Sequence, residues 1–265
     1  MQLSLASKRA RIAAAGAALA VGAGLYTAGA ASAEHSVPRT DKEIPNLTKV
    51  TDKIKAYYGD TTDKKGQHYA SADSNYAKQV ADIEKKAKAQ LEKAVRNHAD
   101  KKGAAKPAIV LDVDDTTLLT YNYELQQGFH FTPESQDAYL KSTDMAPVFG
   151  MPQLVNWAQS KGITVFFVTG RDEHQRDWSV RNLKNAGYKP AADTAHFFLK
   201  NKKTPPAYLP CGATCTTVEY KSGTRKHIES QGYRIVANFG DQYSDLQGGY
   251  AQHTYKLPNP MYFLP

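Results

Sequence analysis

An apolar run that ends abruptly in carboxylates constrains the fold of this chain most. Residues 108–116 read AIVLDVDDT, so Asp112 directly follows four apolar positions, and Asp114 and Asp115 come within three residues of it. Such a run is typical of a buried strand that leads into a loop at its carboxyl end. Ligands of open α/β sheets bind at that end of the strands. Because carboxylates this close repel one another unless they share a cation or a proton, the pattern predicts a bound metal ion.

Apolar runs alternate with helical patterns along the rest of the chain. Residues 163–169 and 234–239 are nearly continuous apolar runs, as expected of strands buried on both faces of a parallel sheet. A further short strand is expected over residues 196–199, and helices are predicted over residues 151–160, 173–186 and 218–231. This alternation predicts an α/β fold, a Rossmann-like parallel sheet flanked by helices and joined by right-handed crossovers.

The segment ahead of the first strand has a helical pattern. Its apolar residues recur at spacings of three and four: Tyr76, Val80, Ile83, Ala87, Leu91 and Val95. They predict a helix over about residues 74–99 with one apolar face, and a helical pattern also starts at Ile54. Residues 34–104 are therefore expected to form a flexible leader and a helical amino-terminal extension.

The first residues have the pattern of a secretory signal peptide. Three basic residues come first: Lys8, Arg9 and Arg11. An uncharged stretch rich in Ala and Gly follows over residues 12–30, and residues 31–33 read ASA, a small-residue cleavage pattern. The alternative is a membrane anchor, but the stretch is only weakly hydrophobic. The pattern predicts that residues 1–33 are removed near Ala33–Glu34 and that the protein is secreted to the extracellular space, without a stable membrane anchor.

Charge and cysteine content limit the binding partners and metal sites that the chain can have. The net charge is +8, but the lysines are spread along helical segments, so a solvated face is expected and no feature of a nucleic-acid reader is present. Cys211 and Cys215 are the two cysteines, and His196 and His227 do not complete a convincing zinc site with them. In an exported protein they predict a local disulfide, with two free thiols as the alternative.

The run over residues 163–169 ends in groups suited to phosphate. Thr169 is followed by Gly170 and Arg171. The threonine hydroxyl can donate to a phosphoryl oxygen, and a glycine lets the backbone approach a ligand closely. The guanidinium is suited to a phosphate or to a carboxylate partner. This segment is a weak signal alone, because many α/β strands end in Thr-Gly.

Two more segments add a cation and two acids. Lys221 lies near the start of the helix predicted over residues 218–231, where a cation can offset charge on a transferring phosphoryl group. Lys226 is the second candidate, and either lysine can instead be a surface residue. Asp241 and Asp245 follow the run over residues 234–239 and can complete an octahedral Mg²⁺ site, although Asp241 can also cap a helix.

Together these four segments resemble the four motifs of the haloacid dehalogenase superfamily phosphatases. Within that superfamily, the sequences of residues 168–173, 220–222 and 232–246 most resemble subfamily IIIB. This subfamily comprises the secreted acid phosphatases related to plant vegetative storage proteins and to bacterial outer-surface acid phosphatases. The resemblance covers about residues 45–256. It implies a phosphatase core over residues 105–256, a small cap insert over residues 118–150 and a tail over residues 257–265.

The resemblance also implies a mechanism and a set of site residues. Asp112 is expected to attack phosphorus and form an aspartyl-phosphate, with Asp114 as general acid and base. Substrate is expected to contact Thr169, Gly170, Arg171 and the catalytic cation Lys221. The cofactor is expected to be Mg²⁺, held by Asp112, Asp114, Asp241 and Asp245. Asp114 is expected to contribute its backbone carbonyl, and Asp245 is expected to support either the metal or Lys221.

The substrate is expected to be a small phosphomonoester, and its identity stays open. Aromatic residues of the cap insert can stack on a substrate or form the small core of the cap: Tyr121, Tyr123, Phe129, Phe131 and Tyr139. Two alternative functions are a secreted storage or binding protein on the same fold and a phosphotransferase. Asp112 and Asp114 favour an enzyme, and Asp114 with Thr116 favours phosphate chemistry over dehalogenation. The sequence does not predict the oligomeric state.

Overall fold

A computed structural model describes residues 37–99 and 103–265 of the chain, so the predicted signal peptide lies outside the described residues. The described residues fall into two units that divide between Val50 and Thr51. Within the first unit, the described residues include a single 3-10 turn over Asp41–Glu43. The candidate site lies wholly within the second unit.

Helices and strands alternate as the sequence predicts. In chain order the helices are α1 (Leu47–Tyr58), α2 (Asn75–Ala99), α3 (Tyr121–Gln126), α4 (Pro133–Ser142), α5 (Met151–Ser160), α6 (Arg176–Asn185), α7 (Thr217–Ser230) and α8 (Tyr243–Leu246). The strands are β1 (Thr61–Thr62), β2 (His68–Tyr69), β3 (Lys106–Leu111), β4 (Thr164–Asp172), β5 (Phe197–Lys200), β6 (Tyr233–Gly240) and β7 (Thr254–Lys256). Strands β1 and β2 form a separate antiparallel pair.

The remaining five strands form one parallel sheet in the order β5-β4-β3-β6-β7. This confirms the predicted α/β fold with a parallel sheet flanked by helices. Strand β3 lies at the centre and is buried from Pro107 to Leu111, which is why its sequence is continuously apolar. On one face, Ala108 and Val110 pack in a cluster with Tyr220 and Ile228 of α7. Helices α2 and α5 also pack against the sheet.

Several boundaries differ from the sequence-based expectation. The helix expected over residues 173–186 is divided into a 3-10 turn, Glu173–Gln175, and α6, because the Gln175 side chain closes a capping box with Asp172. Helix α2 begins as predicted, with the Ser74 hydroxyl accepting from the Ala77 backbone N–H at 3.1 Å. The pair β1–β2 and the edge strand β7 were not predicted, since two or three residues are too few to show a period.

Two further expectations concern the disulfide and the cap insert. Cys211 and Cys215 are joined in a disulfide, as predicted, around the 3-10 turn Gly212–Thr214. The region expected to be a cap insert, residues 118–150, contains the short helices α3 and α4. Among the residues that the structure describes, no helix has both the length and the apolar character needed to cross a membrane.

Candidate active site

The three central strands bring the sequence-predicted segments together at one edge of the sheet. Leu111 at the end of β3 is in register with Phe167 of β4 and with Phe239 of β6. Asp112 therefore lies beside the Thr169 end of β4 and the Gly240–Asp241 end of β6. Helix α7 packs on one face of the sheet and supplies Lys221 near its start. The candidate site is thus at the carboxyl edge of a parallel sheet, where α/β proteins bind ligands.

Lys221 joins two of the acids. Its Nζ lies 2.5 Å from Asp112 Oδ1 and 2.5 Å from Asp245 Oδ1, and all three side chains are at least nine-tenths buried. Burial raises the pKa of Asp112 well above its usual range, and the charge of Lys221 opposes that shift. Burial by itself would lower the pKa of Lys221, but the two carboxylates raise it above its usual value. Lys226 is exposed and lies 6.0 Å from the ring of Tyr250, so the structure places Lys221 and not Lys226 among the acids.

Local sequence features of α7 aim Lys221 at the acids. The helix starts with a capping box, in which the Thr216 hydroxyl accepts from the Glu219 backbone N–H and the Glu219 carboxylate accepts from the Thr216 backbone N–H. One turn beyond Lys221 on the same face, the buried Arg225 guanidinium donates to the backbone carbonyls of Asp245, Gln247 and Gly249. Arg225 thereby holds the loop that carries Asp245. The sequence does not reveal this role, although the i, i+4 spacing places Arg225 on the same face of the helix as Lys221.

Asp241 has neutral partners in the described part of the chain. Its Oδ2 accepts from Gln242 Nε2 at 2.7 Å and from Asn259 Nδ2 at 2.8 Å, while its Oδ1 is 3.4 Å from the Thr116 hydroxyl. Burial, followed by the charges of Asp245 and Asp115, raises the pKa of Asp241 to about 7. Gln242 and Asn259 are further site residues that the sequence did not reveal.

The carboxylate cluster fits a divalent cation. One oxygen each of Asp112, Asp241 and Asp245 lies within 4.8 Å of the others, and all three residues are buried. Lys221 contacts two of these acids and supplies one positive charge against three negative ones. Carboxylate oxygens are the ligands that Mg²⁺ prefers. Asp114 was predicted to offer the metal its backbone carbonyl, and its side chain is not part of this cluster of carboxylates.

Asp114 is instead paired with Arg171. Arg171 Nε donates to Asp114 Oδ2 at 3.0 Å and Nη2 donates to Oδ1 at 2.6 Å, which is a two-pronged ion pair. Arg171 Nη1 also donates to the Ser179 hydroxyl at 2.8 Å, so the guanidinium is fixed from behind by α6. Arg171 was predicted to contact substrate, and here it contacts a carboxylate, the other partner to which its chemistry is suited.

Thr169 and Gly170 directly precede Arg171 in β4. Thr169 is fully buried, and its hydroxyl accepts from the Arg171 backbone N–H at 3.2 Å. Gly170 is exposed, and a Cβ added there would have no neighbour within 4 Å. The backbone at Gly170 is therefore open to a ligand.

Asp115 has a structural environment of its own. It adopts a φ of 51° and is fully buried, where its carboxylate accepts from the Thr120 hydroxyl, from the Thr120 backbone N–H at 3.1 Å and from the Tyr262 hydroxyl at 2.8 Å. An aspartate tolerates this left-handed conformation better than most residues. The turn it forms directs the chain from β3 into the region of α3.

The aromatic residues expected in the cap insert differ in how far they are buried. Tyr121 and Tyr123 are buried, and the Tyr121 ring is stacked 4.4 Å from that of Tyr58, whereas Phe131 is 55% exposed. The two buried tyrosines therefore belong to the core.

The fold and the grouping of acids, lysine and threonine agree with one family. The sequence model of the acid phosphatase family, HAD superfamily subfamily IIIB, matches residues 20–265. This chain belongs to that family of phosphomonoester hydrolases.

Individual relatives agree with this family. The chain is 35% identical to acid phosphatase 1 of Solanum lycopersicum, over 58% of this chain and 58% of that protein. It is 30% identical to vegetative storage protein 1 of Arabidopsis thaliana, over 59% of this chain and 55% of that protein. The matches thus span less than two thirds of the length of these relatives. The class C acid phosphatase from Bacillus anthracis has a similar fold, with a TM-score of 0.58 and 21% identity over 72% of this chain and 80% of that chain.

Proposed function

We propose that this protein is a secreted, Mg²⁺-dependent phosphomonoesterase that acts through an aspartyl-phosphate on Asp112. One observation carries the proposal: Asp112, buried at the end of the central strand, is held by Lys221 at 2.5 Å, and Asp114 follows two residues later. A nucleophile fixed by a cation, next to a second acid, is what in-line attack on a phosphoryl group requires.

Each side chain has a proposed step. An Asp112 carboxylate oxygen attacks phosphorus while Asp114 gives its proton to the leaving alcohol oxygen, and Asp114 later takes a proton from the water that hydrolyses the acyl phosphate. Lys221 and Thr169 bind phosphoryl oxygens, and the open backbone at Gly170 lets the phosphate approach. Arg171 orients Asp114 through its two hydrogen bonds.

Mg²⁺ would be held by Asp112, Asp241, Asp245 and the backbone carbonyl of Asp114, and when bound it supplies charge neutralisation at the phosphate. The three buried carboxylates support this choice of site. Secretion is proposed from the basic, apolar and small-residue pattern of residues 1–33 and agrees with a disulfide between Cys211 and Cys215.

The proposed function is tested by hydrolysis of an aryl phosphate by residues 34–265. Turnover should require Mg²⁺, should stop with a chelator, and should fall more than ~10³-fold in Asp112→Asn. Asp82→Asn, at an exposed position of α2, is the matched control and should retain full activity. Tungstate, an oxyanion present in a crystal structure of the Bacillus anthracis enzyme, should inhibit competitively.

A storage or binding protein on the same fold is the second candidate, because similar proteins include vegetative storage protein 1. It predicts no metal-dependent turnover for a set of phosphomonoesters between pH 4 and pH 9, with a folded protein. A third reading, transfer to an alcohol, predicts that added glycerol yields a glycerol phosphate in preference to inorganic phosphate.

A further inference from the structure

We propose that the segment Leu257–Pro265, referred to below as the closing segment, is part of the cation site, and that Asn259 is a positioning residue for Asp241. The inference rests on the proposed cation site and extends it to residues that follow the last strand. The sequence indicated only a tail at this position. In the structure, the closing segment contacts two of the acids at the carboxyl edge of the sheet.

The first step is the use of the two oxygens of Asp241. Its Oδ2 accepts two amide N–H groups, from Gln242 at 2.7 Å and from Asn259 at 2.8 Å. A carboxylate oxygen has two lone pairs, so these donors saturate Oδ2. The Oδ1 atom, with a long contact of 3.4 Å to the Thr116 hydroxyl, is left to face a cation.

The second step is the orientation of the Asn259 amide. Its Oδ1 accepts from the Met261 backbone N–H at 2.8 Å, so the NH₂ group is the end that faces Asp241. An asparagine whose oxygen is used in this way cannot be turned over without losing both hydrogen bonds. The amide is therefore a dedicated donor to Asp241.

The third step is the anchoring of the closing segment. Leu257 is fully buried, and its backbone N–H donates to the Gly240 carbonyl at 2.9 Å. Farther along, the Leu264 backbone N–H donates to Gln242 Oε1 at 3.1 Å, and the Leu264 carbonyl accepts from the Ser244 hydroxyl at 3.1 Å. Asn259 is thus held between two fixed points, both on the segment that carries Asp241 and Asp245.

The chemistry of the donors explains why they suit a cation site. An amide holds and orients a carboxylate without cancelling its charge, whereas a lysine or arginine in the same place would compete with the cation. Residues that orient metal ligands by hydrogen bonds typically contribute about 10–100-fold to metal affinity. Loss of the Asn259 donor should therefore weaken the affinity for Mg²⁺ more than the rate at saturating Mg²⁺.

The test is calorimetric titration of metal-free protein with Mg²⁺, which needs no turnover and so is independent of the phosphatase proposal. Asn259→Ala should raise the Kd for Mg²⁺ by about 10–100-fold and reduce the rise in melting temperature that Mg²⁺ causes. Its hydrolysis rate at saturating Mg²⁺ should stay within about threefold of wild type, so the metal requirement and the maximal rate separate. Asn259→Ser, which keeps a hydroxyl to accept from Met261 but is too short to reach Asp241, replaces it if Asn259→Ala does not fold.

Two controls separate this role from general destabilisation. Asn185→Ala removes a matched Asn–Asp hydrogen bond, from Asn185 Nδ2 to Asp144 Oδ1 at 2.9 Å, that lies outside the site and should leave the Kd unchanged. Ser244→Ala cuts one anchor of the closing segment and keeps both donors to Asp241, so it should weaken Mg²⁺ binding less than Asn259→Ala does. The proposal is overturned if wild type does not bind Mg²⁺, if Asn259→Ala binds it normally, or if Ser244→Ala weakens binding as much as Asn259→Ala.

Discussion

On one side of the site, Asp112, Asp241 and Asp245 are almost wholly buried around Lys221, whereas on the other side Asp114 keeps 20% of its side chain exposed beside Arg171. We refer to these as the cation side and the proton side. Buried like charges must be balanced by a cation or a proton. Burial accordingly raises the pKa of Asp112 and of Asp241, so that both carboxyl groups hold a proton more tightly. In the proposed mechanism Asp114 exchanges protons with water, and its partly exposed side chain has the access to solvent that this step needs. The cation side would hold the metal and the phosphate in that mechanism.

The largest expected effect tests the cation side. Lys221→Met removes the contacts to Asp112 and Asp245 and leaves two carboxylates buried without their partner. Activity should fall ~10²–10³-fold, and the free energy of unfolding should fall by roughly 3–5 kcal/mol in the absence of metal. The measurements are initial rates and chemical denaturation.

Lys226→Met is the control for this prediction, because Lys226 lies on the same helix but is exposed. It should match wild type in both measurements. An active, stable Lys221→Met protein would contradict the assignment of charge balance to Lys221.

The next effect tests the proton side. Arg171→Lys keeps the charge but cannot reproduce the two-pronged contact with Asp114. We expect kcat to fall about 10–100-fold, the pH–rate profile to change shape and the Kd for Mg²⁺ to stay unchanged. Arg176→Lys is the matched control, since Arg176 makes a similar two-pronged pair with Glu173 outside the site. A loss of Mg²⁺ affinity in Arg171→Lys would show that the two sides are not separate.

Substitution of one glycine near the end of a strand on each side tests how tightly the two sides are packed. A Cβ on Gly240 would lie 2.3 Å from the Asp245 Cβ, whereas a Cβ on Gly170 would meet nothing within 4 Å. Gly240→Ala should therefore lower the free energy of unfolding by about 1–3 kcal/mol. Gly170→Ala should fold at least as stably as wild type and lose activity if phosphate approaches the backbone there. Equal stability of the two variants, measured by thermal unfolding, would contradict the difference in packing.

The smallest expected effect concerns how folding stability depends on pH, and it separates the contribution of the site from that of the core. Glu84 of α2 lies against Gly150, and burial raises its pKa from 4.5 to about 7. Because the folded state holds this proton more tightly, its contribution to stability is present below pH 4.5 and is lost as pH rises to about 7. Glu84→Gln should remove that loss, making the protein roughly 1 kcal/mol more stable at pH 7 after allowance for solvent screening.

Exposed Glu92 on the same helix offers the control, Glu92→Gln, whose stability should follow the wild-type pH curve. If Glu84→Gln followed that curve too, the decline in stability with pH would have to come from the acids of the site. Thermal unfolding at pH 4.5 and pH 7 is sufficient to distinguish the two results.

Local patterns of sequence are sufficient to predict the sheet and the strand ends that carry its acids. Continuous apolar runs such as residues 163–169 require burial on both faces, and this requirement implies a parallel sheet with helices on each side. The carboxyl ends of such strands meet at one edge, so the sequence predicts that Asp112 and Asp241 lie close together. These predictions rest on local patterns, which is why they succeed.

Tertiary structure alone decided which side chains meet across long separations. Lys221 and Lys226 have similar surroundings in the sequence, but they point to different sides of α7, and packing of that helix brings Lys221 to the acids and leaves Lys226 exposed. Arg171 could pair with phosphate or carboxylate, and packing against Ser179 aims it at Asp114. Asn259 lies in a segment without any period, so its contact with Asp241 follows from the path of the chain after β7 and not from a local pattern. Local pattern fixes what an element buries, whereas the partners of a polar side chain depend on where separate elements come to lie.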